Sequence, residues 1–302
     1  MWFLPALITL GAWGAADLFY KKGNDPRDRY SALKTTVMVG FVMGLHAIIY
    51  YGIFEGIDYD PKNLLLYLPV SSMYILSMAL GYFGLRYIEV SVSSPISNSS
   101  GAVTVVLSYF IMHQTMKALQ WAAVIAILIG LFLLSLFEKW EFDQELAEAG
   151  EKIDPKYTVG PIAIIFPLLY CVIDGMGTFL DGVYLDYRKI LPEDQANMSY
   201  ELTFLIVAIL IWLYLKFCKK ETMHVFKERD KGLAALFETL GQFFYVGAMS
   251  GNALIAAPMI ASYSIVSILL ARVFLKERLT MKQYGAIALV MVAIAILGFY
   301  DG

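Results

Sequence analysis

Charge is scarce in this chain: of 302 residues only 16% are Asp, Glu, Lys or Arg, against 59% hydrophobic, with a mean hydropathy of +0.64. So little polar surface excludes a water-soluble domain. Cysteine is scarcer still, since Cys171 and Cys218 are the only two, and they show neither metal-ligand spacing nor the pattern of a disulfide framework. The three histidines, His46, His113 and His224, are scattered, with no HExxH-like or DDxxD-like motif. The residues therefore offer neither a metal cluster nor a nucleophile–base set of the kind an intramembrane enzyme acting on a lipid would need. A Walker A loop is absent too, which disfavours ATP-driven pumping. No cofactor, no metal and no nucleic-acid partner is expected. The net charge of −3 decides nothing, because its distribution matters more than its sum.

What the chain does have is apolar runs long enough to cross about 30 Å of hydrocarbon at about 1.5 Å per residue. They fall near 2–20, 31–54, 64–86, 90–111, 119–137, 158–180, 198–217, 232–249, 252–274 and 281–300. The first begins at Trp2 without a basic leader or a small-residue cleavage site, so it reads as a span rather than a signal peptide. Basic residues gather on alternate loops: Lys21, Lys22, Arg27 and Arg29, then Arg86, Lys139, Lys152 and Lys156, then the stretches 219–231 and 276–282. The opposite loops hold only Lys62, Lys117, Arg188 and Lys189. This bias makes the richer side cytoplasmic, and an even number of spans then leaves both termini outside a plasma membrane.

The longest polar segment, the acid-rich 138–157, falls at the midpoint and reads as a linker between a first unit, 1–137, and a second, 158–302. The two units repeat. Residues 81–124 align without a gap on 244–287 at a constant offset, 258 − 95 = 163, which pairs Pro95 with Pro258, Tyr82 with Tyr245, Gly84 with Gly247, Ser99 with Ser262 and Gln120 with Gln283. Five spans per unit is an odd number, so the second unit enters the membrane from the opposite side. Inverted repeats mark alternating-access carriers, which hold a solute between the halves near the midplane. The expected fold is thus an all-α integral membrane protein of about ten transmembrane helices in two inverted five-helix repeats.

The stretches "LGAWGAADLFYKKG" in the first span and "AAPMIASYSIVSILLARVFLKERLTMKQYGAIALVMVAIAILG" across the last two carry a resemblance. The chain resembles the drug/metabolite transporter superfamily, specifically its ten-helix EamA-type members. The second stretch matches the pattern of a Pro-bearing helix, a short turn with a glutamate, here Glu277, and a glycine-bearing final helix; the first unit has "HQT" at 113–115 in place of "KER". The resemblance implies transport of a small solute and says little of which one. In the superfamily's smaller four-helix relatives a first-helix glutamate exchanges protons for cationic substrate; here Trp13 stands nearest that place and the acid, Asp17, comes one turn later.

Charges inside spans are costly and need a partner or a task. Asp17 lies about 23 Å into the first span, near its inner end, where Lys21 one turn on is an alternative partner. Pairing "WGAAD" with "YCVID" matches Trp13 to Tyr170 and Asp17 to Asp174 (174 − 17 = 157), and would put one carboxylate at each mouth as a gate or proton-coupling site. Glu238, about 9 Å into its span with no basic residue within a turn, is the leading solute or proton ligand, with Gln242 and Tyr245 on the same face. Asn98 is a further ligand candidate, beside Pro95 and Pro258, which either start their helices or kink them. Trp13, Tyr74, Tyr82, Tyr170, Tyr245 and Tyr263 supply aromatic surface. Acids and aromatics without midplane bases point to a neutral, zwitterionic or cationic solute. Glu201 and His46 also fall in spans; Glu201 is near an end and a lone histidine reads as a helix contact, so both stay outside the candidate site. Gly40 and Gly44 read as a small-residue packing face. The expected function is a secondary transporter, proton-coupled, exchange-driven or uncoupled, working as a monomer or homodimer in the bilayer; the alternatives are a lipid-directed enzyme or a non-transporting sensor or assembly protein.

Overall fold

The computed structural model describes residues 1–23, 28–84, 99–149, 165–223, 228–274 and 279–299. These contain ten α-helices: α1 Phe3–Gly23, α2 Ser31–His46, α3 Lys62–Gly84, α4 Ser100–Met112, α5 Ala118–Ala149, α6 Ile165–Gly182, α7 Glu193–Leu213, α8 Arg229–Ile260, α9 Tyr263–Phe274 and α10 Met281–Phe299. Eight are long and apolar enough to cross a membrane, and α4 and α9 are shorter apolar helices. The protein is an all-α, multi-pass membrane protein.

Three helices end in a widened π turn: Ala47–Phe54 after α2, Val183–Tyr187 after α6 and Tyr214–Cys218 after α7. Each closes alike. The residue two positions on is left-handed (Gly56, Lys189, Lys220), and the next N–H turns back six residues, Ile57 to Tyr51, Ile190 to Tyr184 and Glu221 to Leu215. That reversed bond satisfies a carbonyl the helix end would otherwise leave bare. α5 overruns its expected end and continues to Ala149, because "EKWEFDQELAEA" is rich in helix formers and holds neither Gly nor Pro.

α8 departs most from the expected spans. It runs through 229–260 with a bend at Asn252 (φ −169°, ψ 82°), and so joins the eighth span to the start of the ninth. Pro258 sits inside this helical run rather than at its start, and three residues later the helix breaks at Ala261–Ser262 before α9 begins. Ser262 donates both its N–H and its hydroxyl to the carbonyl of Met259 at the break. Pro95, the counterpart of Pro258, lies outside the described residues, as do Glu277 and His224.

The packing maps onto itself when each helix is exchanged with the one five places later. α1 against α8 and α9 becomes α6 against α3 and α4; α2 against α8 becomes α7 against α3; α2 on α7 and α5 on α10 map to themselves. At the shared α2–α7 contact a Cβ on Gly40 would meet the Phe204 carbonyl and one on Gly44 the Leu205 side chain, so these glycines do form a close-approach face.

The exchange also fixes the register. A Cβ on Gly14 of α1 would lie 2.5 Å from Val266 Cβ and 2.9 Å from the Tyr263 carbonyl of α9; a Cβ on Gly175 of α6 would lie 2.6 Å from Val103 Cβ and 2.7 Å from the Ser100 carbonyl of α4. Val266 and Tyr263 follow Val103 and Ser100 at the repeat's offset of 163, so Gly14 corresponds to Gly175 (175 − 14 = 161). The expected match of Asp17 to Asp174 is therefore one turn out. Asp174 corresponds to Trp13, Asp17 to Thr178, and Tyr20 to Asp181.

Candidate functional site

Between the halves lies a cavity of about 230 Å³ walled by α1, α3, α4, α6, α7, α8 and α9. Nine of the residues singled out in the sequence line it together: Trp13, Asp17, Tyr74, Tyr170, Asp174, Glu238, Gln242, Tyr245 and Tyr263. Asn98 and the side chain of Tyr82 lie outside the described residues, as does the side chain of Lys21, the alternative partner of Asp17. Asp174 does not stand at a separate mouth. It sits at the middle of its helix, eight residues or about 12 Å from the Gly182 end, and shares one chamber with the other two acids.

Close helix approach builds one wall. A Cβ on Gly241 of α8 would collide with the Trp13 indole, so the missing side chain lets the ring lie flat on the helix. The indole N–H donates to the backbone carbonyl of Glu238 at 3.3 Å, and Thr9 Oγ1 donates to the Gly241 carbonyl at 3.1 Å. Trp13 in turn supports Tyr245 (centroids 5.1 Å, tilted by 30°) and Tyr263 (5.9 Å, edge-on). Three rings from three helices thus form a box beside the acids.

The Glu238 carboxylate accepts a hydrogen bond from Tyr20 at 3.4 Å, and Asp17 lies close enough for its charge to be felt there. Asp17, Tyr20 and Glu238 are all partly exposed. Asp174 accepts a bond from Ser77 at 3.3 Å and another from Ser100.

The opposite end is sealed. Tyr74 bridges the Tyr245 hydroxyl (2.8 Å), Thr178 (3.1 Å) and the carboxylate of Asp181 (2.9 Å), which also accepts a hydrogen bond from Tyr67. Asp181 is 1% exposed, Tyr67 0% and Tyr245 3%.

The sequence reading missed Asp181, although it lies two turns from Asp174 on the same face, because the expected span stopped at 180, one residue short. Tyr20, Thr178 and Tyr200, which also line the cavity, escaped because hydroxyls in apolar helices carry no signal until partners are known. His46 and Glu201, read apart, meet across α2 and α7: Nδ1 is 2.8 Å from both carboxylate oxygens.

No Lys, Arg or His lines the cavity among the described residues, so an anionic solute would meet three acids and no counter-charge. Among the same residues no group of three His, Cys, Asp or Glu is placed to hold a metal ion.

The EamA-like transporter family model matches residues 1–136, the first of the two repeats and the one contributing Trp13, Asp17 and Tyr74. Members of that family are membrane transporters of small solutes. No curated protein matches the chain. A solved crystal structure superposes with a TM-score of 0.72 over 98% of this chain and 96% of its own, at 14% identity, which speaks for the fold alone.

Proposed function

We propose that this chain is a secondary transporter that moves a small cationic or neutral organic solute by rocking its two halves about the central cavity. One observation carries the reading: the interface between two symmetry-related halves encloses three carboxylates and an aromatic box, with no base lining it among the described residues. A cation there gains Coulomb attraction from Asp17, Asp174 and Glu238 and cation–π attraction from Trp13, Tyr245 and Tyr263. Zwitterions fit the same chamber less well, and anions poorly.

The sealed Asp181 end and the partly exposed Asp17–Glu238 end support a conformation closed on one side and accessible from the other. With the charge bias of the loops, the accessible side is cytoplasmic and both termini lie outside the plasma membrane. The halves trade places when the Asp181 cluster opens and the α1–α8 interface closes, with coupling to protons or to a second solute through the acids.

The test is thermal stabilisation of the purified protein by tetraethylammonium, spermidine, neutral amino acids and nucleosides, repeated with Glu238→Gln. Stabilisation by the cations that disappears in the variant, with unfolding otherwise intact, is the expected result. A shift confined to neutral compounds and unchanged in the variant would return Glu238 to a structural role and move the ligand to the aromatics.

A further inference from the structure

A second site lies outside the central cavity. Between α2 and α8 a groove of about 700 Å³ is lined by Val42, Leu45, Ile49, Phe54, Leu236, Leu240, Phe243 and Phe244, with His46, Tyr50 and Thr239 as its polar members. It belongs to two membrane-spanning segments, and its rim faces lipid: Leu45, Phe54 and Leu236 are more than half exposed.

Two of the three polar members are already engaged. Thr239 Oγ1 donates to the Ala235 carbonyl at 2.8 Å, and Tyr50 has Glu55 as its side-chain partner. His46 is different. Its Nδ1 is held by Glu201, a carboxylate with 0% exposure that is itself fixed by Asn197 (3.2 Å), which donates as well to Tyr51 at 2.9 Å. Three rings set the imidazole plane, Tyr50 stacked at 5.1 Å, and Tyr51 and Phe243 edge-on at 5.4 and 5.7 Å. Nε2 has no hydrogen-bond partner among the described residues.

An imidazole with one nitrogen fixed by a buried carboxylate and the other unused is a presented hydrogen-bonding group, costly to leave unmet in hydrocarbon. The Asp17, Asp174 and Glu238 chamber does not involve it. We propose that this groove binds a neutral amphipathic alcohol dissolved in the membrane, its hydroxyl on His46 Nε2 and its apolar body along α2 and α8. The hydroxyl follows from the dyad: it both donates and accepts, so it satisfies Nε2 whether or not that nitrogen carries a proton. A carboxylate or phosphate head would bring a second anion toward Glu201, and an ammonium head could only donate. The inference stands apart from the carrier reading and survives its failure.

The experiment uses the full-length protein in phosphatidylcholine nanodiscs and three diazirine probes of equal chain length: a hexadecanol, a hexadecanoic acid and a hydrocarbon. The alcohol should label peptides of α2 and α8 about fivefold more than the other two, the worth of one hydrogen bond. That excess should vanish in His46→Phe, persist in His46→Gln, and fall in Leu240→Trp, which fills the groove and leaves the dyad intact. Equal labelling by all three probes would make the groove an ordinary lipid contact and overturn the proposal. Unchanged alcohol labelling in folded His46→Phe would overturn it too, and should that variant not fold, an alcohol excess undiminished in Leu240→Trp does the same.

Discussion

The α1–α8 and α6–α3 interfaces are counterparts under the exchange of halves, yet they carry opposite chemistry at the same place. On one, the phenol is on the first helix, Tyr20, and the carboxylate on its partner, Glu238. On the other, the carboxylate is on the first helix, Asp181, and the phenols on its partner, Tyr67 and Tyr74. Tyr20 and Asp181 occupy equivalent positions. The Tyr20–Glu238 bond of the first interface is long, 3.4 Å, and joins partly exposed groups; at the second, Asp181 is 1% exposed and Tyr67 0%, and the Tyr74 hydroxyl lies 2.9 Å from the carboxylate and 2.8 Å from the Tyr245 hydroxyl. A repeated backbone thus supplies two mouths of one shape, and side-chain chemistry lets one be shut while the other is not.

The sharpest way to break the comparison is steric. Gly14→Val and Gly175→Val each drive a side chain into a valine and a backbone carbonyl that cannot move aside, at a cost of about 1–3 kcal/mol or more. Both should lose most of the monodisperse protein recovered in detergent, and to a similar extent. Gly11→Ala, which meets nothing within 4 Å, should behave as the parent. If Gly175→Val were tolerated and Gly14→Val were not, the register pairing Asp174 with Trp13 would be wrong.

Hydroxyl deletion ranks next. Tyr67→Phe removes a donor from a carboxylate that is 1% exposed, so thermal unfolding should record a loss of about 1–3 kcal/mol. Tyr20→Phe removes one long bond at a partly exposed site and should cost about 0.5–1 kcal/mol. Equal losses would mean that the two mouths do not differ in closure.

The smallest effect lies at the end of the molecule where Asp28 meets Lys34 at 2.7 Å, with Glu221 3.5 Å from the same amine. Burial works to raise the Asp28 carboxyl, but the Lys34 hydrogen bond, the Tyr30 backbone N–H and the nearby lysine charges outweigh it and hold it below its ordinary value. A carboxyl depressed in the fold contributes stability above its unfolded value and loses it as pH falls through the folded one. Stability should therefore drop slightly more below about pH 4 in the parent than in Asp28→Asn. Parallel acid profiles for the two proteins would remove the pair from any account of stability.

Much of this architecture was legible in the chain. Hydrophobic run length marked the helices, since lipid tolerates no unpaired backbone, and the gapless alignment of 81–124 with 244–287 exposed the repeat. Trp13, Asp17, Glu238 and Tyr245 stood out because a polar or aromatic residue in an apolar run is conspicuous. The α1–α6 register was not legible. Asp17 and Asp174 look like partners as letters, whereas the pairing is set by which glycine admits a neighbouring helix. Nor could the ends be read closely, because Asp181 lies in a stretch whose hydropathy is already falling, where span limits are arbitrary by a turn.

Composition and periodicity by themselves determined that the protein crosses the membrane about ten times in two related halves, because the cost of leaving a backbone group or a charge in hydrocarbon acts on local sequence. Only the tertiary structure decided that Asp17, Asp174 and Glu238 share one chamber, that Asp181 and three tyrosines close its end, and that His46 and Glu201 meet across α2 and α7. Those relations join residues as far apart in the chain as Asp17 and Glu238 (238 − 17 = 221), and they depend on helix rotation and approach, which side-chain volume at a few glycines sets and local pattern does not encode.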